Sequence, residues 1–377
     1  MPDHVAYTEP LRQGNSKTVI RPPRLMKPAM PTAEAIAPFL RRIDETGIYS
    51  NYGPLNAEFR DRLAAHLGVA AAVPTSSGTT ALELALRATT VAGSVCILPA
   101  YTFIATAHAV VNAALVPLFV DVDPDMLMLS PKIVERVIAE RGTDDVGAVV
   151  PVSAFGAPVD IAAWDRFRSA SGLPVVIDAA AAASTILGIG TAPVCLSLHA
   201  TKVPGIGEGG AVLTDDPGLA ERITAMTGFG FTGAARMAEL RGGNYRISEY
   251  TAATGLAALD ILPGVLEQLH RVAKLYREGL EGRETALMDG FGAEWISSTL
   301  NVRIPQHRVE ATLGRLDDHG IPWRRWWSLG CHRHAAFADV ETTPLAATEE
   351  IAPRVIGVPF HKDLREDEVR RIVDLLP

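Results

Sequence analysis

The stretch Val194-Cys-Leu-Ser-Leu-His-Ala-Thr-Lys-Val-Pro-Gly-Ile-Gly-Glu-Gly-Gly-Ala-Val-Leu-Thr214 decides how the chain is read. Two short apolar runs, each readable as a strand, flank a polar, glycine-rich loop with a single lysine, Lys202. A lone lysine is ordinarily a solvated surface residue. Its amine becomes reactive when confined beside a cationic or apolar site, where it loses its proton and acts as a nucleophile. The surrounding sequence has to choose between these readings.

Upstream, Asp178 directly ends the apolar run Leu173-Pro-Val-Val-Ile177. Ligands of open α/β sheets sit beyond the carboxyl ends of the strands, so an acid there faces a site. It is equally suited to capping an Ala-rich helix expected to follow. Earlier still, Ser76-Ser-Gly-Thr-Thr-Ala-Leu-Glu-Leu-Ala-Leu86 places small hydroxylated residues and a glycine at the start of an apolar helix. The free N–H groups and dipole at such an end suit a phosphate, with the Ser77 and Thr79 hydroxyls as further donors; the same residues also make an ordinary N-cap. A lysine amine, an aspartate for a pyridinium nitrogen and a phosphate-binding helix start form one set, that of a pyridoxal-phosphate site.

The pattern around these residues is that of an α/β fold. From about residue 70, apolar runs at 95–98, 116–120, 146–152 and 174–177 alternate with helical segments at 79–89, 105–113, 131–140 and 160–169. This rhythm predicts a mostly parallel sheet covered on both faces, extended by strands near 195–198 and 211–214. Before it come an extended Pro-rich arm at 1–30, a helix at 32–46 and a second at 56–66 with Asn56 as its N-cap. After it, a helix at 217–226 leads to a long helix from Ser248 that Pro263 is expected to kink or interrupt. Beyond residue 280 the order changes to a strand at 300–304, a helix at 308–319, an Arg/Trp-rich strand and a last helix at 366–376, which predicts a smaller α+β lobe.

Several function classes are disfavoured. A net charge of −8 leaves no basic excess for a phosphate backbone, so nucleic acid is not an expected partner. The longest apolar stretches are broken by His108, Asn112 and Pro117, or by Asp260 and Pro263, short of the roughly 18 residues of a membrane span. Three well-separated cysteines, Cys96, Cys195 and Cys331, and a start without a signal-peptide pattern make the cytoplasm the expected compartment. Of two matches to G-x-G-x-x-G, at 205–210 and 228–233, the first leads into a strand and the second follows a helix, so neither has the strand-then-helix setting and a dinucleotide loop is not expected. The Asp121-Val-Asp123 pair reads as a polar turn, and Cys331-His-Arg-His334 lacks zinc spacing, so no metal site is expected.

In chain order, Asn51-Tyr-Gly-Pro54, Ser77-Gly-Thr-Thr-Ala-Leu82, Pro99-Ala-Tyr-Thr-Phe-Ile-Ala-Thr106, Phe119-Val-Asp-Val-Asp123, Ile177-Asp-Ala-Ala180, Ser197-Leu-His-Ala-Thr-Lys202, Gly207-Glu-Gly-Gly210 and Gly243-Asn-Tyr-Arg-Ile-Ser-Glu249 carry a specific likeness. The chain resembles the DegT/DnrJ/EryC1/StrS sugar aminotransferases, pyridoxal-phosphate enzymes of fold type I. The resemblance implies a mostly parallel seven-stranded sheet between helices in a large domain, plus a smaller α+β C-terminal domain. The division expected is an arm at 1–30, a cofactor-binding domain at 31–262 and a small domain at 263–377.

The same resemblance implies roles. Lys202 matches the Schiff-base lysine and Asp178 the partner of the pyridine nitrogen. Ser77, Gly78 and Thr79 match the phosphate cradle, with Ser197 adding a hydroxyl, and Phe103 matches the aromatic stacked on the ring. Asn244 matches an asparagine that reaches the neighbouring subunit's phosphate, which implies a homodimer with active sites at the interface. Residues 353–360 and His361 fit the closing strand and loop. Substrate contacts are expected from Tyr52, His199, Arg324 and Arg325; Trp326 and Trp327 suit a sugar face or, equally, the core of the small lobe. Two positions depart from the pattern: Ala181 stands where Gln or His is usual, and Ser153 where His is frequent. The implied reaction moves an amino group from L-glutamate to a nucleotide-linked 4-keto-6-deoxy sugar. A cyclitol or sugar-phosphate acceptor, or a non-catalytic regulatory relative, are the alternatives.

Overall fold

The computed structural model describes residues 22–142, 144–186, 188–233 and 237–377; most of the expected arm lies outside them. The central sheet is built from β1 (Ala71–Thr75), β2 (Val95–Pro99), β3 (Val116–Val120), β4 (Val146–Val149), β5 (Ile177–Asp178), β6 (Val194–Ser197) and β7 (Gly210–Thr214). Its order is β1-β7-β6-β5-β4-β2-β3, the bridges Val149–Val175 and Val152–Asp178 joining β5 to β4. Only β7 runs against its neighbours. This is the predicted seven-stranded, mostly parallel sheet. Strand β1 was not predicted: Ala71-Ala-Val-Pro-Thr75 is short and contains Pro74, which is tolerated because β1 is an edge.

Strand alternation divides the apolar residues between the two faces. Cys96 and Leu98 of β2 join one buried cluster, Val95 and Ile97 the other. The covering helices are α1 (Ala33–Thr46), α2 (Pro54–Leu67), α3 (Gly78–Thr89), α4 (Ile104–Asn112), α5 (Pro131–Arg141), α6 (Ile161–Ser171) and α7 (Pro217–Thr227). Side chains of Thr32, Ser77, Ser130, Asp160 and Asp216 cap α1, α3, α5, α6 and α7.

Helix α2 corrects one expectation. It starts at Pro54, not after Asn56, because proline's missing N–H costs nothing in the first turn. The free Leu55 and Asn56 N–H groups donate to Oε2 and Oε1 of buried Glu249, at 2.7 and 2.8 Å. Asn56 is thus inside the helix and Glu249 is its distant cap.

Glu249 itself opens α8 (Glu249–Leu280), a 32-residue helix capped by Ser248. Pro263 does not interrupt it, and the expected 262/263 division lies inside this one helix. Leu256, Leu259 and Leu262 on one side of the proline, and Val265, Leu269 and Val272 on the other, are buried and hold both halves against the core. That packing outweighs the lost hydrogen bond.

A two-stranded ribbon, β8 (Phe231–Thr232) and β9 (Met237–Ala238), precedes α8. After α8, β10 (Ala286–Leu287), β11 (Leu300–Arg303) and β12 (Val355–Val358) form an antiparallel sheet accompanied by α9 (Val309–Asp318), α10 (Ala346–Ile351) and α11 (Glu366–Val373). The predicted Arg/Trp-rich strand is absent. Arg324 makes one bridge to Gly357 and the chain turns at once, since the Trp326 indole lies over Gly357 where a side chain would collide with it.

Candidate active site

The carboxyl ends of the strands surround a cavity of about 430 Å³. The hairpin between β6 and β7 sets one wall. Leu198 N–H donates to Gly209 O at 2.8 Å, Ala200 N–H to Gly207 O at 2.6 Å and Lys202 N–H to His199 O at 2.8 Å, which turns the Lys202 side chain into the cavity. Burial lowers the affinity of the Lys202 amine for its proton, opposed by the charge of Asp178.

Asp178 ends β5 and is 7% exposed. Thr106 Oγ1 of α4 donates to its Oδ2 at 2.8 Å, and Ala180 N–H donates to its Oδ1 at 3.1 Å. Among the described residues no helix directly follows Asp178 for it to cap: one oxygen closes a turn at Ala180, and the carboxylate lines the cavity. Burial pushes its carboxyl above the usual carboxylate range, while the Thr106 hydroxyl, the Ala180 N–H and Lys202 pull it back. Such a group ionises most readily when a cation is brought to it.

The start of α3 forms the opposite wall. Ser77 Oγ accepts from Thr80 N–H at 3.1 Å, which completes the cap and leaves the N–H groups of Gly78 and Thr79 without an acceptor among the described residues. Gly78 is needed there, because a Cβ would stand 2.7 Å from Ser197 Cβ, and Gly210 is needed because a Cβ would run into the Ser77 carbonyl. These two contacts press the helix start against the ends of β6 and β7, with Ser197 beside it. Phe103, the residue before α4, is 53% exposed and leans over the same cavity.

This geometry fits pyridoxal 5′-phosphate: two unsatisfied helix-start donors, an enclosed amine and a buried carboxylate with spare lone pairs share a cavity large enough for it.

The model of the DegT/DnrJ/EryC1/StrS aminotransferase family matches residues 32–377. The chain belongs to this family. It is 30% identical to dTDP-4-amino-4,6-dideoxy-D-glucose transaminase of Shigella dysenteriae, over 94% of this chain and 98% of that one. It resembles the crystal structure of DesI solved with its TDP-sugar product, with TM-score 0.84, 31% identity, and coverage of 94% and 92%. A Bacillus cereus protein assigned as a PLP-dependent aminotransferase superposes with TM-score 0.87 at 26% identity, over 93% of this chain and 98% of that chain. This protein is a PLP-dependent aminotransferase.

The aminotransferase fold gathers most of the residues singled out in the sequence. Ser77, Gly78, Thr79, Phe103, Asp178, Ser197, His199, Lys202 and Arg324 all line the cavity. Three do not, within one chain. Arg325 donates from Nε and Nη2 to Pro353 O at 3.1 and 3.0 Å and lies against Trp323. Tyr52 binds Thr227 Oγ1 at 2.8 Å and Thr224 O at 3.1 Å. Asn244 Oδ1 accepts from Arg246 on the outer surface. Trp327 is buried against Phe155 and Tyr101 of the large domain, stacked on Phe155 with centroids 3.9 Å apart, rather than in the core of the small lobe, and both Trp326 and Trp327 reach the cavity wall.

Sequence reasoning missed Thr106, Glu208 and Met26. Thr106 lies three residues after Phe103, one helical turn on and on the same face, which was a legible signal. Met26 reaches the cavity from the Pro-rich arm, which is held to the C-terminal lobe by Phe360 N–H donating to Leu25 O and by the Lys27–Asp363 ion pair. No local pattern announces that. Near Ala181, Ser153 Oγ donates to Ala157 O at 2.6 Å and Ser297 Oγ to Ala181 O at 3.3 Å, while Ser298 and Thr299 line the same cavity. Neither glycine-rich motif opens a helix, and among the described residues no acidic, His or Cys cluster suits a metal.

Proposed function

We propose that this aminotransferase moves an amino group from L-glutamate to a nucleotide-linked keto-deoxysugar, a 4-keto-6-deoxyhexose in the first instance. The observation that carries the reading is the meeting of the Lys202 amine, the Asp178 carboxylate and the two free N–H groups of α3 in one cavity. The sugar acceptor is supported by the names of the transaminase and DesI relatives, which share about three residues in ten with this chain.

Bound there, pyridoxal 5′-phosphate supplies an aldehyde carbon for the travelling amine and a ring that withdraws electrons from it. The Gly78 and Thr79 N–H groups, with the Ser77, Thr79 and Ser197 hydroxyls, hold its phosphate. Asp178, oriented by Thr106 and Ala180, keeps a proton on the ring nitrogen. Phe103 covers one ring face. With that group bound, the Lys202 amine, which gives up its own proton more readily than a free lysine, would take the proton from the donor α-carbon and return it to the carbon on the far side of the travelling nitrogen. The same residue reverses the transfer for the keto sugar.

Arg324, 5.4 Å over the Trp326 ring, offers the acceptor's diphosphate a guanidinium held in place by an aromatic face. The functional unit is a homodimer. Exposed Tyr49, Tyr52, Phe229 and Tyr250, with Arg246 over two of these rings, form the kind of aromatic and arginine-rich surface found in interface cores and support this reading, in which Asn244 would reach a second copy's phosphate. Incubation with glutamate and dTDP-, UDP- and GDP-linked keto sugars tests the substrate class: an amino sugar from one of them is expected, and binding of none rejects it.

A further inference from the structure

The hairpin that carries Lys202 brings His199 and Glu208 to the cavity wall on its opposite legs. The Ala200 to Gly207 backbone bond makes them neighbours across the turn, and the Lys202 N–H bond to His199 O ties them to the lysine. His199 Nδ1 accepts from Thr201 N–H at 3.2 Å and lies 2.8 Å from Thr201 Oγ1. A ring nitrogen that accepts carries no hydrogen, so the neutral imidazole keeps its hydrogen on Nε2.

That N–H faces Glu208 Oε1 across 3.7 Å, beyond a direct hydrogen bond. The Glu208 side chain is 74% exposed and has no other polar partner among the described residues. An N–H donor and a carboxylate acceptor held slightly too far apart are matched by a group that accepts from one and donates to the other. An alcohol hydroxyl does both. A carboxylate has no proton to give Glu208 and is repelled by it, and an ammonium has no lone pair for His199.

We propose that His199 and Glu208 together bind a ring hydroxyl of the acceptor sugar, and so discriminate the acceptor from the amino-acid donor that uses the same cavity. This rests on the sugar-acceptor reading above. The pair serves one half of the reaction: it fixes the keto sugar beside Lys202 and leaves the donor's carboxylate to other residues.

The two halves can be timed separately on purified holoenzyme by cofactor absorbance, first with L-glutamate alone and then with the keto sugar alone. Glu208→Ala removes the acceptor from a side chain that is 74% exposed, so folding is not at stake. It is expected to lower kcat/KM of the acceptor half about 10- to 100-fold, the worth of one hydrogen bond to a charged group, while the glutamate half keeps its wild-type rate. One singly deoxygenated acceptor should react equally with both proteins, having lost the hydroxyl that the pair holds. Equal slowing of both halves, an unchanged acceptor half, or a full difference with every deoxygenated acceptor overturns the proposal. A wild type that takes the amine from glutamate and gives it to no keto sugar overturns the sugar reading instead.

Discussion

At the scale of single residues, Asp178 and Lys202 are displaced from their ordinary titration in opposite directions by the same cause, burial, and each partly restores the other. Without cofactor, folded Asp178 binds a proton that the unfolded chain has released at the same pH. Between the unfolded and the raised folded value, stability therefore falls as pH rises, and the contribution is lost above that window. Asp178→Asn removes this slope because an amide does not titrate, and its oxygen can accept from Ala180 N–H while its NH2 donates to the Thr106 hydroxyl. The cofactor-free variant should melt no lower than wild type at pH 7, while kcat falls about 100- to 1,000-fold for want of a charge at the ring nitrogen. Calorimetry and steady-state rates check both halves. Gly78→Ala adds a Cβ 2.7 Å from Ser197 Cβ, and is expected to cost about 1–3 kcal/mol in cofactor binding, read by equilibrium dialysis. Wild-type affinity would mean that the start of α3 does not hold the phosphate. These residues were legible singly as ambiguous and jointly as a set. In the structure Ser77 caps α3 while its neighbours keep free N–H groups, and Asp178 closes a turn, rather than capping a helix, while facing the cavity.

At the scale of elements, the sequence is most informative where periodicity is strong and least where a distant residue decides. The alternation of strands and helices from residue 70 is in the sequence, because each buried parallel strand is a continuous apolar run. The start of α2 is not, because its cap, Glu249, is nearly 200 residues away. Nor is the continuity of α8, where tertiary packing overrides a local rule. Two stability measurements follow. Glu249→Gln removes a charge that two buried N–H groups depend on, and should cost about 1.5–3 kcal/mol in urea unfolding. Pro263→Ala, at an exposed position in mid-helix, should restore a backbone bond and raise stability by about 1–3 kcal/mol. A destabilised Pro263→Ala would mean that the proline shapes α8 rather than being tolerated by it. The Arg/Trp segment was misread for a related reason: β-prone residues are also what a cavity wall is made of, and Gly357 opposite Trp326 selects the latter.

At the scale of the whole molecule, the sheet and small lobe enclose a site to which the Pro-rich arm adds Met26, and the exposed aromatic surface around Tyr250 is the face on which the proposed second copy would pack. That assembly was implied only by likeness to a family, since one chain's sequence does not mark which aromatics pack inward. Light scattering is expected to give twice the chain mass, and Tyr250→Glu to give a monomer with weakened cofactor retention, because Asn244 no longer reaches its neighbour's site. A monomeric wild type with full activity would remove the partner from the account. The central claim is that Lys202 moves an amine from glutamate to a nucleotide-linked keto-deoxysugar. The most direct measurement is mass spectrometry of sugar and acid products after incubating purified holoenzyme with L-glutamate and the keto sugar, wild type beside Lys202→Ala. The account predicts one aminated sugar per 2-oxoglutarate from the wild type and a loss of about 100-fold or more in the variant; unaminated sugar with the wild type, or equal yields from both proteins, would contradict it.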